Sequence, residues 1–233
     1  MEDDILKKVD YTAVDGGTAA AAERVVRETE LAIRVNGSHV ATAMILATME
    51  EEFVTGHLFG QGIIGSAADI TSLTVTDDTA EVTVTGKSDV NGEPGTVRSD
   101  LIVRKEDVFD CVRAILKSDI FDETEAVHSA GLFLNGTEPV CIAEDLGRHH
   151  ALDKVIGYGL LHGTNFGETL AASTGRQPSE MLLKCRRAGI PVIATKGVPT
   201  TLAIDIANEG RIAIAGLVRG TTMLVYSTPA RIV

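Results

Sequence analysis

Cysteine is scarce: three in 233 residues, Cys111, Cys141 and Cys185, with no Cys-x-x-Cys pair. An odd, unpaired set of this kind speaks against both a disulfide framework and a structural zinc site. Basic residues are outnumbered, 21 Lys and Arg against 33 Asp and Glu, for a net charge of −12. A duplex-binding protein presents a basic face, so this balance argues against nucleic acid but leaves room for a local pocket for a phosphorylated ligand. No apolar run reaches membrane-spanning length, and the first residues, MEDDILKK, are acidic rather than signal-like; a soluble, cytoplasmic protein without a membrane partner is expected. Walker and Rossmann glycine patterns are missing, as is a glycine-flanked serine elbow around Ser129, Ser173 or Ser179. His149 and His150 are adjacent, about 100° apart on a helix, so they do not make the i, i+4 pair of a helical zinc site. No metal is expected.

What is present is core: 44% of residues are hydrophobic, enough for one large domain or two small ones. Residues 1–23 are acidic and then small, and read as a flexible arm. Alternation on both sides of Asn36-Gly37, over residues 31–45, predicts a hairpin. Thr48 to Phe59 predicts a helix, with Thr48 as N-cap and Glu51 closing a capping box. A second hairpin follows at 70–85 around Asp77-Asp78. The turn-rich stretch 87–97 marks a junction, dividing a small β-rich unit (24–104) from a larger α/β unit (105–233).

In the second unit, Glu106–Lys117 reads as a helix and residues 127–143 as a hairpin turning at Asn135-Gly136. Strands then alternate with helices: strand 170–174, helix 179–188, strand 191–195, helix 200–208, strand 212–218 and a last strand at 223–226. That rhythm means parallel pairing and an α/β layer fold. Cys111 and Cys185 fall in helical patterns and read as small hydrophobes. Cys185 also has Lys184, Arg186 and Arg187 beside it, which could lower a thiol pKa.

Ligands of such sheets sit where strands hand over to helices. Glu144 to Lys154 is such a junction, with two histidines, an arginine and a glycine, and a helix start there suits an anion. Loops 145–150, 174–180 and 195–200 leave consecutive strands and can meet over one crevice. Arg176 is a fork of donors for phosphate or carboxylate, the plain alternative being a surface pair with Glu180. Ser179 can cap its helix or bind an acceptor. Arg219-Gly220-Thr221-Thr222 follows a buried strand, where glycine lets another molecule approach the backbone; the alternative is an ordinary hairpin turn.

Leu146-Gly147-Arg148-His149-His150-Ala151-Leu152-Asp153-Lys154-Val155-Ile156-Gly157 is similar to the signature of the FdhD family, the formate dehydrogenase accessory sulfur-carrier proteins. Val127-His128-Ser129-Ala130, Thr174-Gly175-Arg176, Ala188-Gly189-Ile190-Pro191-Val192 and Arg219-Gly220 also match in order and spacing. The resemblance implies a small α+β roll followed by a cytidine-deaminase-like three-layer α/β/α domain, often as a homodimer. It implies a protein that takes sulfur from a cysteine desulfurase and passes it to the bis(guanylyl) molybdenum cofactor, Mo-bis(molybdopterin guanine dinucleotide), for a formate dehydrogenase or related molybdenum or tungsten enzyme. By the same match, Leu217, Val218, Arg219, Gly220, Thr221 and Thr222 would hold the guanine dinucleotide part, with a GDP-like nucleotide as a stand-in. Gly147, Arg148, His149, Lys154, Gly175, Arg176, Ser179 and His128 would line the crevice.

Two departures stand out. Leu152 occupies the place of a deaminase glutamate, and Pro178-Ser179-Glu180-Met181-Leu182 has no cysteine, which speaks against deamination. The family's sulfur-carrying Cys-x-x-Cys is also missing, since residues 86–105 hold no cysteine. Cys111 is then the nearest thiol for a persulfide. The alternative function is a guanine-nucleotide-binding or scaffold protein of zinc-less deaminase fold, without sulfurtransferase activity.

Overall fold

A computed structural model describes residues 5–85 and 94–233. Leu31, Ile33 and Val35 turn one face of β3 (Thr29–Val35) into the core. At the end of β3 the chain reverses through Asn36 (φ 51°) and Gly37 (φ 77°) into β4 (Ser38–Ile45). Asp77 (φ 50°) sits in the second reversal, between β5 (Ile70–Thr76) and β6 (Thr79–Val84). The two hairpins join through a parallel β3–β6 pair, giving a four-stranded sheet in the order β4-β3-β6-β5. A parallel pair needs a crossover, and helix α1 (Glu50–Gly60) lies on it. Its Phe53, Val54 and Leu58 share a core with Leu31, Ile33, Ile45 and Val82.

The second sheet has six strands in the order β12-β11-β10-β9-β7-β8. β9 (Thr169–Ser173), β10 (Val192–Thr195) and β11 (Ala213–Arg219) are its parallel centre. The β7–β8 hairpin (His128–Leu134, Glu138–Asp145) and β12 (Thr222–Ser227) pair antiparallel at the two sides. Side chains alternate between faces along the central strands. Ala171, Ile193 and Ile214 face helices α4 (Arg148–Leu161), α5 (Ser179–Ala188) and α6 (Thr201–Gly210). Leu170, Ala172, Val192, Ala194, Ala213 and Ala215 face α2 (Lys105–Ala114). Burial on both faces is why these strands read as unbroken apolar runs. The result is the α/β/α layering expected of the second unit.

The two units meet through α1 and α4 at backbone distance. A Cβ built on Gly56 would stand 1.9 Å from the Asp153 carbonyl oxygen, and one on Gly157 only 1.8 Å from that of Glu52. Only hydrogen at both positions allows the approach. One continuous core therefore runs from the four-stranded sheet through α1 and α4 to the six-stranded sheet.

Two expectations differ from the structure, and one element was not foreseen. Among the described residues of the arm expected over 1–23, β1 (Leu6–Val14) pairs with β2 (Thr18–Val26) in register along its whole length, and Arg24 meets Glu123 at 3.4 Å. Alanine and charge hid the strands, which lack an apolar alternation to announce them. A short helix, α3 (Asp119–Thr124), follows α2, capped by Ser118 accepting from the Phe121 N–H at 2.8 Å. Thr48 does not cap α1. Met49, at φ 55°, occupies the N-cap, and the Thr48 hydroxyl is taken by the Lys154 ammonium at 3.2 Å. Of the junction 87–97, residues 87–93 lie outside the described residues.

Candidate functional site

The end of β8 is fastened by Asp145, which is fully buried. Its carboxylate accepts from the backbone N–H of Leu46 at 3.2 Å and of Gly147 at 3.1 Å, and stands 3.1 Å from His150 Nδ1 and 2.7 Å from Lys154 Nζ. Burial alone would push this carboxyl up. The His150 hydrogen bond and the Lys154 charge outweigh it and hold Asp145 below the usual range. These bonds fix where α4 begins and so where Arg148 and His149 project. Lys154, named among the crevice residues, is held within this anchor. Its side chain has no exposure, and its ammonium donates to the carbonyls of Leu46 and Glu144 at 3.0 and 2.9 Å.

Three strand-end loops then pack closely through glycine. A Cβ on Gly175 would stand 2.7 Å from Arg148 Cδ, and one on Gly197 would stand 2.8 Å from the Gly175 carbonyl oxygen. Thr195 Oγ1 donates to that carbonyl at 2.6 Å. The Leu217 N–H donates to the Gly197 carbonyl at 2.7 Å from a bulged β11, with Leu217 itself in the left-handed region at φ 50°. This stacking brings Arg148, Arg176, Lys196 and Arg219 to one cavity of about 690 Å³. The side chains of Arg148, Arg176 and Lys196 have no hydrogen-bond or ion-pair partner among the described residues, and Arg148 Nε is buried without an acceptor. Arg219 makes only two long bonds, 3.4 Å each, to the Lys196 carbonyl. The alternative pairing of Arg176 with Glu180 does not form; Glu180 instead lies 3.8 Å from His149 Nδ1.

The opposite wall of this cavity comes from α3 and the loop after it, with Ser118, Phe121, Asp122 and Glu125. His128 lines it too, 3.2 Å from Thr174 Oγ1. Burial, and then the Arg148 charge, press the His128 imidazole below its ordinary pKa. Lys196 and the α3 residues were not singled out from sequence. Lys196 follows a strand end just as Arg176 does and could have been found by the same rule, whereas α3 gave no signal.

Gly147 and His149 do not share that cavity. They line a second one, of about 490 Å³, between α1, α4 and α5. Arg148 lies on the wall of both. Val218, Arg219 and Gly220 edge a small apolar groove against Phe109, Val112 and Leu116 of the α2 region. Thr221 and Thr222 are exposed at the hairpin, and Ser179 opens α5 without capping it; none of the three lines these cavities.

Cys111, the sulfur-carrying candidate, lies away from both cavities. It is buried against the sheet, its Sγ is 3.1 Å from the Gly136 carbonyl oxygen, and burial pushes the thiol up to about 12. Cys141 and Cys185 are likewise buried and pushed up to about 12, burial outweighing the Lys184 charge beside Cys185.

The strand ends of this layered α/β protein thus carry a cleft lined by four cations. No cluster of metal-ligating side chains is present among the described residues. No described helix is long and apolar enough to cross a membrane. The FdhD/NarQ family model matches residues 26–99 and 85–233. The chain is 34% identical over 248 residues to the sulfur carrier protein FdhD of Methanothermobacter thermautotrophicus, covering 98% of this chain and 99% of that one. It is 30% identical over 251 residues to the FdhD protein of Sulfolobus acidocaldarius, covering 97% and 98%. A crystal structure described as a formate dehydrogenase accessory protein, from Desulfotalea psychrophila, superimposes with a TM-score of 0.88 at 30% identity, covering 98% of this chain and all of that one. The chain belongs to the FdhD/NarQ family.

Proposed function

We propose that this protein assists formate dehydrogenase maturation by holding a guanylylated molybdenum cofactor in the larger cavity. The observation that carries the reading is charge without partners. In a chain of net charge −12, four cations converge on one cleft and none of them forms an ion pair with a carboxylate among the described residues. Of the four, Arg148 is half-buried, where leaving its charge unpaired is costly; the exposed Arg176, Lys196 and Arg219 add donors beside it, an arrangement that a polyanionic ligand completes. Arg148, Arg176, Lys196 and Arg219 would hold phosphate oxygens. The partly buried His128, kept neutral by burial and Arg148, would serve as a hydrogen-bond partner for polar ligand atoms. Bound there, the cargo supplies the metal and dithiolene chemistry of the client enzyme; this chain's part is to bind, orient and shield it.

A persulfide relay through this chain's own thiols is not part of the reading. A thiolate is the group that accepts and passes sulfur, and a thiol pushed up to about 12 in a buried site is neither ionised nor reachable at neutral pH. The proposal therefore separates cofactor binding from sulfur transfer. A cysteine desulfurase, if it acts in this pathway, would hand its sulfur on by another carrier.

The test is ligand binding by the full chain. GDP, a stand-in for the nucleotide arm, is expected to raise the melting temperature, whereas ADP leaves it unchanged. Incubation with a desulfurase and cysteine is expected to leave no cyanide-labile sulfur on the chain. No response to GDP at millimolar concentration would sink the binding assignment, and stoichiometric labile sulfur would restore the sulfur-carrier step.

A further inference from the structure

Arg148 faces two cavities, and only one of them enters the reading above. The second carries His57 from α1, His149 and His150 from α4, and Glu180 and Lys184 from α5. Most of its charges are already spoken for. Asp153 is fully buried, but Lys184 Nζ meets its two oxygens at 2.7 and 2.6 Å. His57 Nδ1 stands 3.7 Å from the same carboxylate, and His150 is held by Asp145. Two groups are left over. Among the described residues the Arg148 side chain has no partner, and His149 has only the Glu180 carboxylate, 3.8 Å away on a side chain that is 77% exposed. Helix α4 opens beside them at Gly147 without a side-chain cap and with no acidic residue in its first turn.

We infer that the second cavity is a proton-coupled oxyanion subsite, in which a phosphate-like group sits between the Arg148 guanidinium and His149 and draws a proton onto that imidazole. The chemistry follows from the surroundings of His149. Burial, Lys184 and Arg148 all press its pKa down, while Glu180 and Asp153 pull it up by less, so the surroundings favour the neutral ring. An oxyanion placed among these groups offsets Arg148 and favours the imidazolium, so one proton is taken from solvent as the anion enters. The linkage fixes the sign: anion affinity rises as pH falls through the ordinary histidine range. Glu180 competes for the same position, and removing its charge strengthens anion binding. Because Arg148 walls both cavities, occupancy of one is felt in the other. The oxyanion is either free in solution or a phosphate of the ligand held in the larger cavity, and that second source alone rests on the proposed function.

Each cavity contains its own reporter. His128 reads the larger one and His149 the smaller, so imidazole NMR titrations of the full chain, at constant chloride-balanced ionic strength, separate the two. Inorganic phosphate is expected to raise the apparent pKa of His149 by about one unit, the size of shift an adjacent opposite charge produces. Affinity for sulfate, whose charge does not change between pH 7.5 and pH 6, should increase over that fall in pH, tighten in Glu180→Gln and lose its pH dependence in His149→Gln. If GDP but not phosphate moves His149, the oxyanion belongs to the nucleotide and the subsite stands in that form. If GDP moves His128 while neither ligand moves His149, the subsite is overturned and the nucleotide reading survives. If phosphate moves His149 while GDP moves nothing, the subsite stands and the nucleotide reading fails. If neither imidazole responds to either ligand, both are overturned.

Discussion

Asp145 Oδ2 and Lys154 Nζ lie 2.7 Å apart with both side chains fully buried, at the point where β8 hands over to α4. The pair anchors Leu46 and Thr48 of the first unit to the start of the helix that carries Arg148. Removing one partner strands the other as a buried charge. Asp145→Asn or Lys154→Met is expected to cost about 3–5 kcal/mol, read as a lower urea midpoint at unchanged slope. The double variant should recover part of that loss, because no lone charge remains. Single variants as stable as the parent would show that the pair is not a structural anchor.

The α1–α4 crossing makes a second prediction. Gly56→Ala or Gly157→Ala puts a methyl less than 2 Å from a carbonyl oxygen, 1.9 Å and 1.8 Å respectively, and backbone cannot step aside as a side chain can. Each is expected to destabilise by about 1–3 kcal/mol or more through forced separation of the helices. Gly17→Ala, where nothing lies within 4 Å and φ is not positive, serves as the control and should be neutral. Thermal melts of the three variants decide it.

Acid stability follows from depressed pKa values. His128 and His149 are both held below 6.5 in the folded chain, so folding favours their neutral forms. That contribution is complete above 6.5 and fades as pH falls through the lower folded values. Asp145, held below 3.8, adds a second loss that begins only under that value. The melting temperature should therefore decline in two stages on acidification, and His128→Gln with His149→Gln should flatten the first. A first stage unchanged in that double variant would refute the assignment.

Thiol chemistry offers a direct check on the buried cysteines. Native protein is expected to react with none of its three thiols on the time scale of a standard disulfide-reagent assay, and with all three in denaturant. Rapid native reaction of Cys111 would reopen it as a sulfur acceptor.

Within the cationic cavity, Arg176→Gln and Arg219→Gln should each weaken GDP binding about tenfold, the usual worth of one charge-assisted hydrogen bond. Both side chains are exposed, so melting of the unliganded variants should be unaffected. Equal GDP affinity in both variants would remove them from the site.

The chain's own letters determined the order of its elements. Asn36-Gly37 and Asn135-Gly136 mark their hairpins because tight reversal needs positive φ, and the apolar runs at 170–173 and 192–194 mark strands buried on both faces. Strand-end placement of Arg148, Arg176 and Arg219 was legible for the same reason, since it needs only the alternation of strand and helix. Tertiary structure alone decided the rest. Lys154 and Arg148 stand six residues apart on one helix, yet the first is sealed inside and the second opens on two cavities, because Asp145 and the first unit close over one face of α4 only. Gly56 and Gly157 look like weak points in their helices until the two backbones are brought together. Which charges find partners depends on distances between segments far apart in the chain, and local pattern carries no record of those distances.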